Sequence, residues 1–277
     1  MMGKRKKLFC NINPVFYAIS LQKEICKRHL MDLFSDEKFA KTITEEKLPN
    51  IVSNYSSNMI KRAKNIDLET QENKAFNIML ACNKINGMII NPGETFSFWR
   101  TVGKVSKRKG FKVGRILHKK KLTTGIGGGL CNLANTIHLL ALHSPLEVIE
   151  FHNHSDALAP DEGKRIPFST GTSVYYNSVD YRFKNNTNQC VQLLLWCEGE
   201  ILYAELRSER RFPWSYKLVE ENHHFKEEGN KYYRISKIYK ESSDNITGHV
   251  IKKELVLDNH SEVMYDYTMI PEDQIRK

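Results

Sequence analysis

The spacing of apolar residues changes near residue 152, and this change limits the folds open to the chain. Before it, apolar residues in 72–86 recur every three or four positions, which predicts an amphipathic helix ended by Gly87 in the left-handed conformation. After it, short segments alternate apolar and polar residues, which predicts strands. These segments are residues 179–183, 191–195, 201–205, 233–238 and 250–256, with turns at Gly199 and Asp244-Asn245.

The order of these patterns predicts the fold class. Strands and helices do not alternate regularly, so a parallel α/β sheet is not expected. We expect an α+β protein with a helical N-terminal part, a Gly-rich loop leading into a central helix, and a mainly antiparallel β C-terminal half. The 277 residues, 40% of them hydrophobic, suffice for a sizeable core.

Three parts of the chain are distinguished by their sequence patterns. Residues 1–71 are expected to be a helical or irregular extension, with a helix at 17–34 and a loosely ordered connection at 35–70. Residues 72–200 are expected to form the core domain. Residues 201–277 are expected to be a β-rich extension packed on that core.

The charge balance points to an acidic partner. Lys and Arg total 42 against 32 Asp and Glu, a net charge of +10. Nine Lys or Arg and no acid lie in residues 104–121, which is either a solvated face or an anion site using Lys112 and Arg115. Phe111 is the one aromatic residue there, so nucleic acid is not expected.

Targeting and redox signals favour the cytoplasm. The basic run Lys4–Lys7 precedes an apolar stretch that Asn11, Asn13 and Pro14 interrupt, and no small-residue cleavage site follows. No stretch approaches the roughly 18 apolar residues of a membrane span. The six cysteines show no CxxC pairing, which fits reduced thiols. We expect a cytoplasmic protein without a transmembrane segment, and association with the envelope surface stays open.

The segment 125–132 (GIGGGLCN) carries the clearest chemical signal. A glycine loop enters a predicted helix, and Cys131 falls in the first helical turn. The free amides and dipole there would lower the thiol pKa, and the amides at Gly127, Gly128 and Gly129 could form an oxyanion hole. A phosphate loop is disfavoured because the GK[ST] ending is missing. A buried structural Cys131, with glycines only for close packing, remains open.

The predicted strand 146–154 contains candidates for a general base that would act on Cys131. Its two-residue period places Glu150, His152 and His154 on one face. Either histidine could be the base, and Glu150 or Asp180 could orient it. Ordinary hydrogen-bonding histidines remain open for both. A zinc site formed by the two histidines and Cys131 stays a minor alternative, because no second cysteine or carboxylate is placed to complete a tetrahedral set. No metal and no cofactor are predicted.

Other histidines are less suited to this role. His138 lies two helical turns from Cys131, roughly 10 Å along the axis, so direct contact is not expected. His223 and His224 are placed in a polar, solvated loop.

Four motifs in order resemble the VanW family over roughly residues 72–200. They are residues 91–98 (NPGETFSF), 127–131 (GGGLC), 150–155 (EFHNHS) and 172–186 (TSVYYNSVDYRFKNN). The flanks look like the stand-alone form associated with B-type vancomycin-resistance clusters. The family pattern usually has Gln after the cysteine and Arg before the first histidine, where this chain has Asn132 and Phe151.

The resemblance implies a chemistry. Better-understood family members are cysteine L,D-transpeptidases that act on peptidoglycan stem peptides. Carried over, Cys131 would be the nucleophile, His152 or His154 the base, and the amides around Gly128, Gly129 and Cys131 the oxyanion donors. Asn132 would support the site. The alternative is a non-catalytic accessory protein of glycopeptide resistance that binds a cell-wall precursor or a protein partner.

Overall fold

The structure is a computed structural model. It describes residues 13–60, 62, 67–118, 121–153, 156–157, 160, 167, 171–176 and 178–276. His154 therefore lies outside the described residues.

Helices and strands are both well represented in the described part of the chain. The helices are α1 (Pro14–Phe34), α2 (Leu68–Ile85), α3 (Phe98–Val102) and α4 (Leu130–Leu142). The first strands are β1 (Lys38–Phe39), β2 (Asn50–Asn58), β3 (Met88–Ile90), β4 (Glu94–Ser97), β5 (Val113–His118), β6 (Lys121–Ile126), β7 (Glu147–Glu150) and β8 (Asp156–Ala157). They are followed by β9 (Arg182–Lys184), β10 (Val191–Glu198), β11 (Ile201–Ser208), β12 (Trp214–Glu228), β13 (Lys231–Asp244), β14 (Val250–Val263) and β15 (Ile275–Arg276).

The strands form three sheets and a hairpin. One sheet has the order β1-β4-β9-β7, and a second has the order β2-β11-β10-β3. The third, β15-β12-β13-β14-β8, is built around the long antiparallel strands β12 to β14. Strands β5 and β6 pair as a separate hairpin that leads into α4. The protein is thus α+β, as the sequence pattern predicts.

Helix α4 lies at the centre of the main core. Every residue from Leu133 to Leu142 is buried, and the helix contacts α2, β2, β7 and β11. The polar side chains of Asn135, Thr136 and His138 are buried with it. A helix that is buried on all sides fixes the position of whatever precedes its first turn.

Helix α2 confirms the helix predicted at 72–86, but its buried face is rotated from the one that the apolar spacing suggests. Met79 is 40% exposed, whereas Gln71 and Asn77 are buried beside Ile78. Buried polar groups are stable where they form hydrogen bonds, so the apolar pattern alone misplaced the face. Gly87 has φ +83°, as expected of the residue that ends a helix.

Two sequence interpretations are wrong. Residues 35–70 are not merely a connection, because β2 pairs along its length with β11. His223 and His224 are not in a solvated loop: they lie in β12 beside a bulge at Asn222, whose φ is +55°, and both are partly buried. Both segments are polar, and their strand structure comes from pairing with distant partners. The divisions at 71 and 200 stay predictions.

Candidate functional site

The turn before α4 is built from three consecutive glycines. Gly127 has φ +78°, and Gly129 has φ +104° and caps the helix. Both values lie in a region that side chains disfavour. The Gly127 amide donates to the Lys112 carbonyl at 2.9 Å, and the Gly128 amide donates to the Gly125 carbonyl at 3.3 Å. Two of the amides expected to serve an oxyanion hole are therefore engaged within the turn.

Close packing explains the absence of side chains in this turn. A Cβ atom on Gly128 would lie 2.3 Å from the carbonyl carbon of Gly114 in β5. A Cβ on Gly127 would lie 2.3 Å from Val105 Cγ1, and one on Gly129 would lie 2.2 Å from Lys74 Cγ. Such distances are well inside van der Waals contact, so the turn fits only without side chains.

Asn77 of α2 fixes the turn to the start of the β5–β6 hairpin. Its side-chain amide donates to the carbonyls of Lys112 and Gly128, both at 3.0 Å, and its Oδ1 accepts from the Lys112 amide at 2.8 Å. The side chain is fully buried. Because one buried amide satisfies three backbone groups, it is expected to determine the shape of the turn.

Cys131 lies in the first turn of α4 and is partly buried. Burial raises the pKa of its thiol, and the opposing contacts, including the positive charge of Lys74, do not offset that effect. The direction is opposite to the lowering that the helix dipole alone suggests. The thiol lies 3.8 Å from the carbonyl oxygen of Val174, to which it donates.

The chain around Val174 covers this face of α4. Asn135, one helical turn after Cys131, accepts hydrogen bonds from the amide and hydroxyl of Thr172 at 3.3 and 2.8 Å. Thr172 in turn forms a β-bridge with Asn153. These contacts place residues 172–174 between α4 and residues 152–153, and so explain the burial of the thiol.

The ring of His152 contacts Glu150. Its Nε2 is 3.2 Å from Glu150 Oε1, and its side chain is 45% exposed. The preceding Phe151 stacks on His138 of α4, with ring centroids 4.2 Å apart. Neighbouring residues of an extended chain point to opposite sides, so the His152 ring lies on the side away from the helix.

His138 itself is a core residue. Its Nδ1 lies 3.3 Å from the Tyr181 hydroxyl, and burial lowers its pKa to about 3. The imidazole is therefore neutral at neutral pH.

Glu150 belongs to an ionic cluster that also includes α1. Arg28 of α1 binds both Glu150 oxygens at 2.7 Å, and Arg182 of β9 binds both oxygens of Asp32 at 2.8 and 2.9 Å. Asp180 accepts from Arg182 Nε at 2.7 Å. Burial opposes ionisation of Glu150, but hydrogen bonds and charge from Arg28 hold its pKa below the ordinary value.

The hydrogen bonds of Asp180 are mainly with backbone groups rather than with a histidine. Its carboxylate accepts from the Ser97 hydroxyl at 2.6 Å and from the amides of Trp99 and Tyr181 at 3.0 and 2.9 Å. The backbone amide of Asp180 donates a hydrogen bond to Glu150 Oε1 at 3.1 Å. The structure thus brings Glu150, His152 and Asp180 into one cluster.

The remaining predicted residues have separate positions. Asn132 Oδ1 accepts from the Ser57 hydroxyl of β2 at 3.0 Å and so ties α4 to that strand. Lys112 lies over the Phe76 ring at 4.4 Å, and Arg115 lies on β5 opposite Thr124. The two basic residues are thus on the hairpin that precedes the glycine turn.

The described residues hold neither a metal-ligand cluster nor a membrane-spanning helix. They contain no group of three or more His, Cys, Asp or Glu side chains arranged to hold a metal ion. Within the same residues, no helix is long and apolar enough to cross a membrane.

Sequence reasoning missed Asn77, Lys74 and Asn135. Asn77 has a weak signal, since it is an amide between two apolar residues of an amphipathic helix. Lys74 and Asn135 gain their importance only from the folded contacts with Gly129 and Thr172.

Comparisons with known proteins give one family match and two relatives. Residues 73–207 match the family described as VanW like protein. The chain is 28% identical over 227 residues to the vancomycin B-type resistance protein VanW of Enterococcus faecalis, which covers 82% of each chain. It is 28% identical over 120 residues to the uncharacterized protein YoaR of Bacillus subtilis, covering 43% of this chain and 38% of YoaR. No solved structure matches the chain.

Proposed function

Because the chain belongs to the VanW-like family, we propose that it acts on peptidoglycan stem peptides as a cysteine acyltransferase of the L,D-transpeptidase type. The relative in Enterococcus faecalis is named as a vancomycin B-type resistance protein, which supports a role at the cell wall. The observation that carries the proposal is the position of Cys131 in the first turn of α4, directly after the glycine turn.

The surroundings of Cys131 support acyl transfer. The amides of Gly129 and Leu130 have no acceptor among the described residues, so they can bind an oxyanion. Lys74 adds positive charge next to the thiol. A substrate carbonyl placed over this turn would meet a sulfur nucleophile and hydrogen-bond donors together.

The proposed reaction has two steps. The thiol sulfur bonds to the carbonyl carbon of the third stem residue, and the bond from that carbon to the terminal D-residue nitrogen breaks. The thiol proton passes through a histidine to that nitrogen, which leaves as an amine. A second amine then attacks the thioester, forms an amide and restores the thiol.

The base in this proposal is His152 or His154. His152 is already oriented by Glu150, but its ring lies away from α4 in this structure. Its use would require residues 151–153 to turn relative to 172–174 when substrate binds. His154 remains the alternative base.

A second function is favoured by the raised pKa of the Cys131 thiol and its donation to Val174. These features suit an accessory protein of glycopeptide resistance that binds a cell-wall precursor without reacting with it. In that case the free amides and Lys74 would bind the precursor, and the thiol would remain protonated.

Intact-protein mass spectrometry separates the two functions. Wild type, Cys131→Ser and Cys26→Ser are incubated with a muropeptide tetrapeptide and, separately, with a carbapenem. Cys26 is an exposed thiol on α1 and serves as the matched control. Acyl transfer predicts an adduct in wild type and Cys26→Ser that is missing in Cys131→Ser.

A folded, reduced protein that forms no Cys131 adduct would refute the enzymatic proposal. Saturable binding of the tetrapeptide in that protein would then support the accessory role. His152→Ala and His154→Ala, compared by adduct formation rate across pH, identify the base: its loss should slow the reaction by about 100-fold or more.

A further inference from the structure

A second concave site lies at the far end of α4. A cleft of about 800 Å³ opens between β2, the C-terminal end of α4 and the segment that leads into β12. His143, which lines it, follows α4 and is twelve residues from Cys131. Twelve residues correspond to about 18 Å along the axis, so this cleft is separate from the glycine turn.

The cleft is electropositive. Among the described residues that line it, none is Asp or Glu, whereas Arg207, Arg211 and His143 are present. Arg211 is exposed and forms no ion pair with any described residue. His143 Nδ1 donates to the Leu139 carbonyl at 2.8 Å, which orients the ring. An anionic group is the ligand that these side chains suit.

Arg207 is held in a fixed orientation. Its Nη1 donates to the Leu48 carbonyl at 2.8 Å, and its Nε lies 3.0 Å from Glu205 Oε2. Glu205 compensates part of the Arg207 charge, so the unpaired Arg211 supplies most of the attraction. A fixed guanidinium beside a free one gives both geometry and charge for a carboxylate or phosphate.

Aromatic rings provide the second half of the site. Trp214 is 43% exposed, and Tyr55, Phe212 and Tyr216 line the same cleft. The Lys240 ammonium lies 4.7 Å from the centre of the Tyr216 ring and helps to hold it in place. An exposed indole favours a partner with an apolar, weakly positive face, such as the C–H face of a pyranose ring.

Hydroxyl and amide groups complete the lining. Ser53 donates to the Leu140 carbonyl at 3.0 Å, so its oxygen still has lone pairs to accept hydrogen bonds. Asn54 is exposed in the cleft and can both donate and accept. Such groups suit a ligand with several hydroxyls.

We propose that this cleft binds an anionic saccharide, a pyranose that carries a carboxylate or a phosphate. The sugar ring stacks on Trp214, and the acidic group binds Arg211 and Arg207. The volume lies within the range of small-molecule sites and accommodates a disaccharide. The assignment does not depend on reaction at Cys131.

The test uses the full chain carrying Cys131→Ser, so that its outcome is independent of acyl transfer. The three tryptophans give separate indole N–H signals in NMR spectra of ¹⁵N-labelled protein. Trp99 donates to the Val179 carbonyl and serves as an internal reference. The probes are N-acetylmuramic acid, N-acetylglucosamine 6-phosphate, neutral N-acetylglucosamine and uridine monophosphate.

Either acidic sugar should shift the Trp214 signal and bind about tenfold or more tightly than the neutral sugar. Arg211→Ala should abolish that preference, whereas the neighbouring Arg210→Ala, which lies outside the cleft, should retain it. Trp214→Ala should weaken all sugars, whereas Trp196→Ala, an exposed indole stacked on Tyr203, should not.

Three results would overturn the proposal. They are an unchanged Trp214 signal at millimolar acidic sugar, equal affinity for acidic and neutral sugars, and tighter binding of uridine monophosphate. The first result would show that the cleft does not bind the sugar, and the second would show that it does not select an anionic group. The third would show that it is a nucleotide site. The two acidic probes decide between carboxylate and phosphate.

Discussion

Gly128→Ala should destabilise the protein although it adds only one methyl group. The new Cβ would lie 2.3 Å from Gly114 C, 2.6 Å from Gly114 O and 2.6 Å from the Arg115 nitrogen. All three are backbone atoms of β5, so the strand or the turn must move. Overpacking of this kind typically costs about 1–3 kcal/mol.

A shift of the turn would also weaken the hydrogen bond from Asn77 to the Gly128 carbonyl, which is 3.0 Å long. A buried hydrogen bond contributes about 1 kcal/mol. We therefore expect Gly128→Ala to lower the free energy of unfolding by about 2–4 kcal/mol.

Two glycine variants calibrate this effect, measured by urea denaturation of all three proteins beside wild type. Gly114→Ala meets Gly128 at 3.0–3.3 Å and should cost less than Gly128→Ala. Gly93→Ala meets nothing within 4 Å but has φ +79°, so it measures conformational strain alone, about 1–2 kcal/mol. If Gly128→Ala were as stable as wild type while Gly93→Ala was destabilised, the close-packing explanation of the turn would be wrong.

Three further perturbations test other contacts. Burial lowers the pKa of Lys240 to about 8. Between pH 8 and about 10.4 the unfolded chain therefore binds more protons at this position than the folded chain does. The free energy of unfolding of wild type relative to Lys240→Met should rise with pH across that window. Because Arg28 holds the pKa of Glu150 below its ordinary value despite burial, the advantage of wild type over Glu150→Gln should be fully present at neutral pH and should decline as pH falls below the ordinary carboxyl pKa of about 4.3; an advantage that does not decline on acidification would contradict this assignment. Asn77→Asp directs a carboxylate at carbonyl oxygens and should lower the free energy of unfolding by about 3 kcal/mol in the same denaturation assay, and a change below about 0.5 kcal/mol would show that the turn does not depend on this amide.

Local patterns predicted the elements whose partners are close in the chain. Helix α2 and the strands β10 and β11 follow from apolar spacing and the turn at Gly199. The strand β2 could not be predicted in this way. Its sequence is polar and half exposed, and it is a strand because β11, about 150 residues later, pairs with it.

The sequence predicted that some candidate side chains lie together, but not the surroundings of Cys131. The sequence places Glu150 and His152 on one face, and their side chains are indeed 3.2 Å apart. It gives no sign that Val174 covers Cys131, because that contact spans 43 residues and depends on the bridge between Asn153 and Thr172. The burial that raises the thiol pKa is therefore a property of the tertiary structure.

The ionic cluster between α1 and the strands also sets an order of events during synthesis. Arg28 and Asp32 leave the ribosome 122 and 150 residues before their partners Glu150 and Arg182. At bacterial and eukaryotic rates of about 5–20 residues per second, that interval is on the order of 6–30 seconds. During it, Arg28 lacks Glu150 and Asp32 lacks Arg182, so a nascent chain that ends before residue 147 should lose α1 to limited proteolysis, whereas the finished chain should keep it.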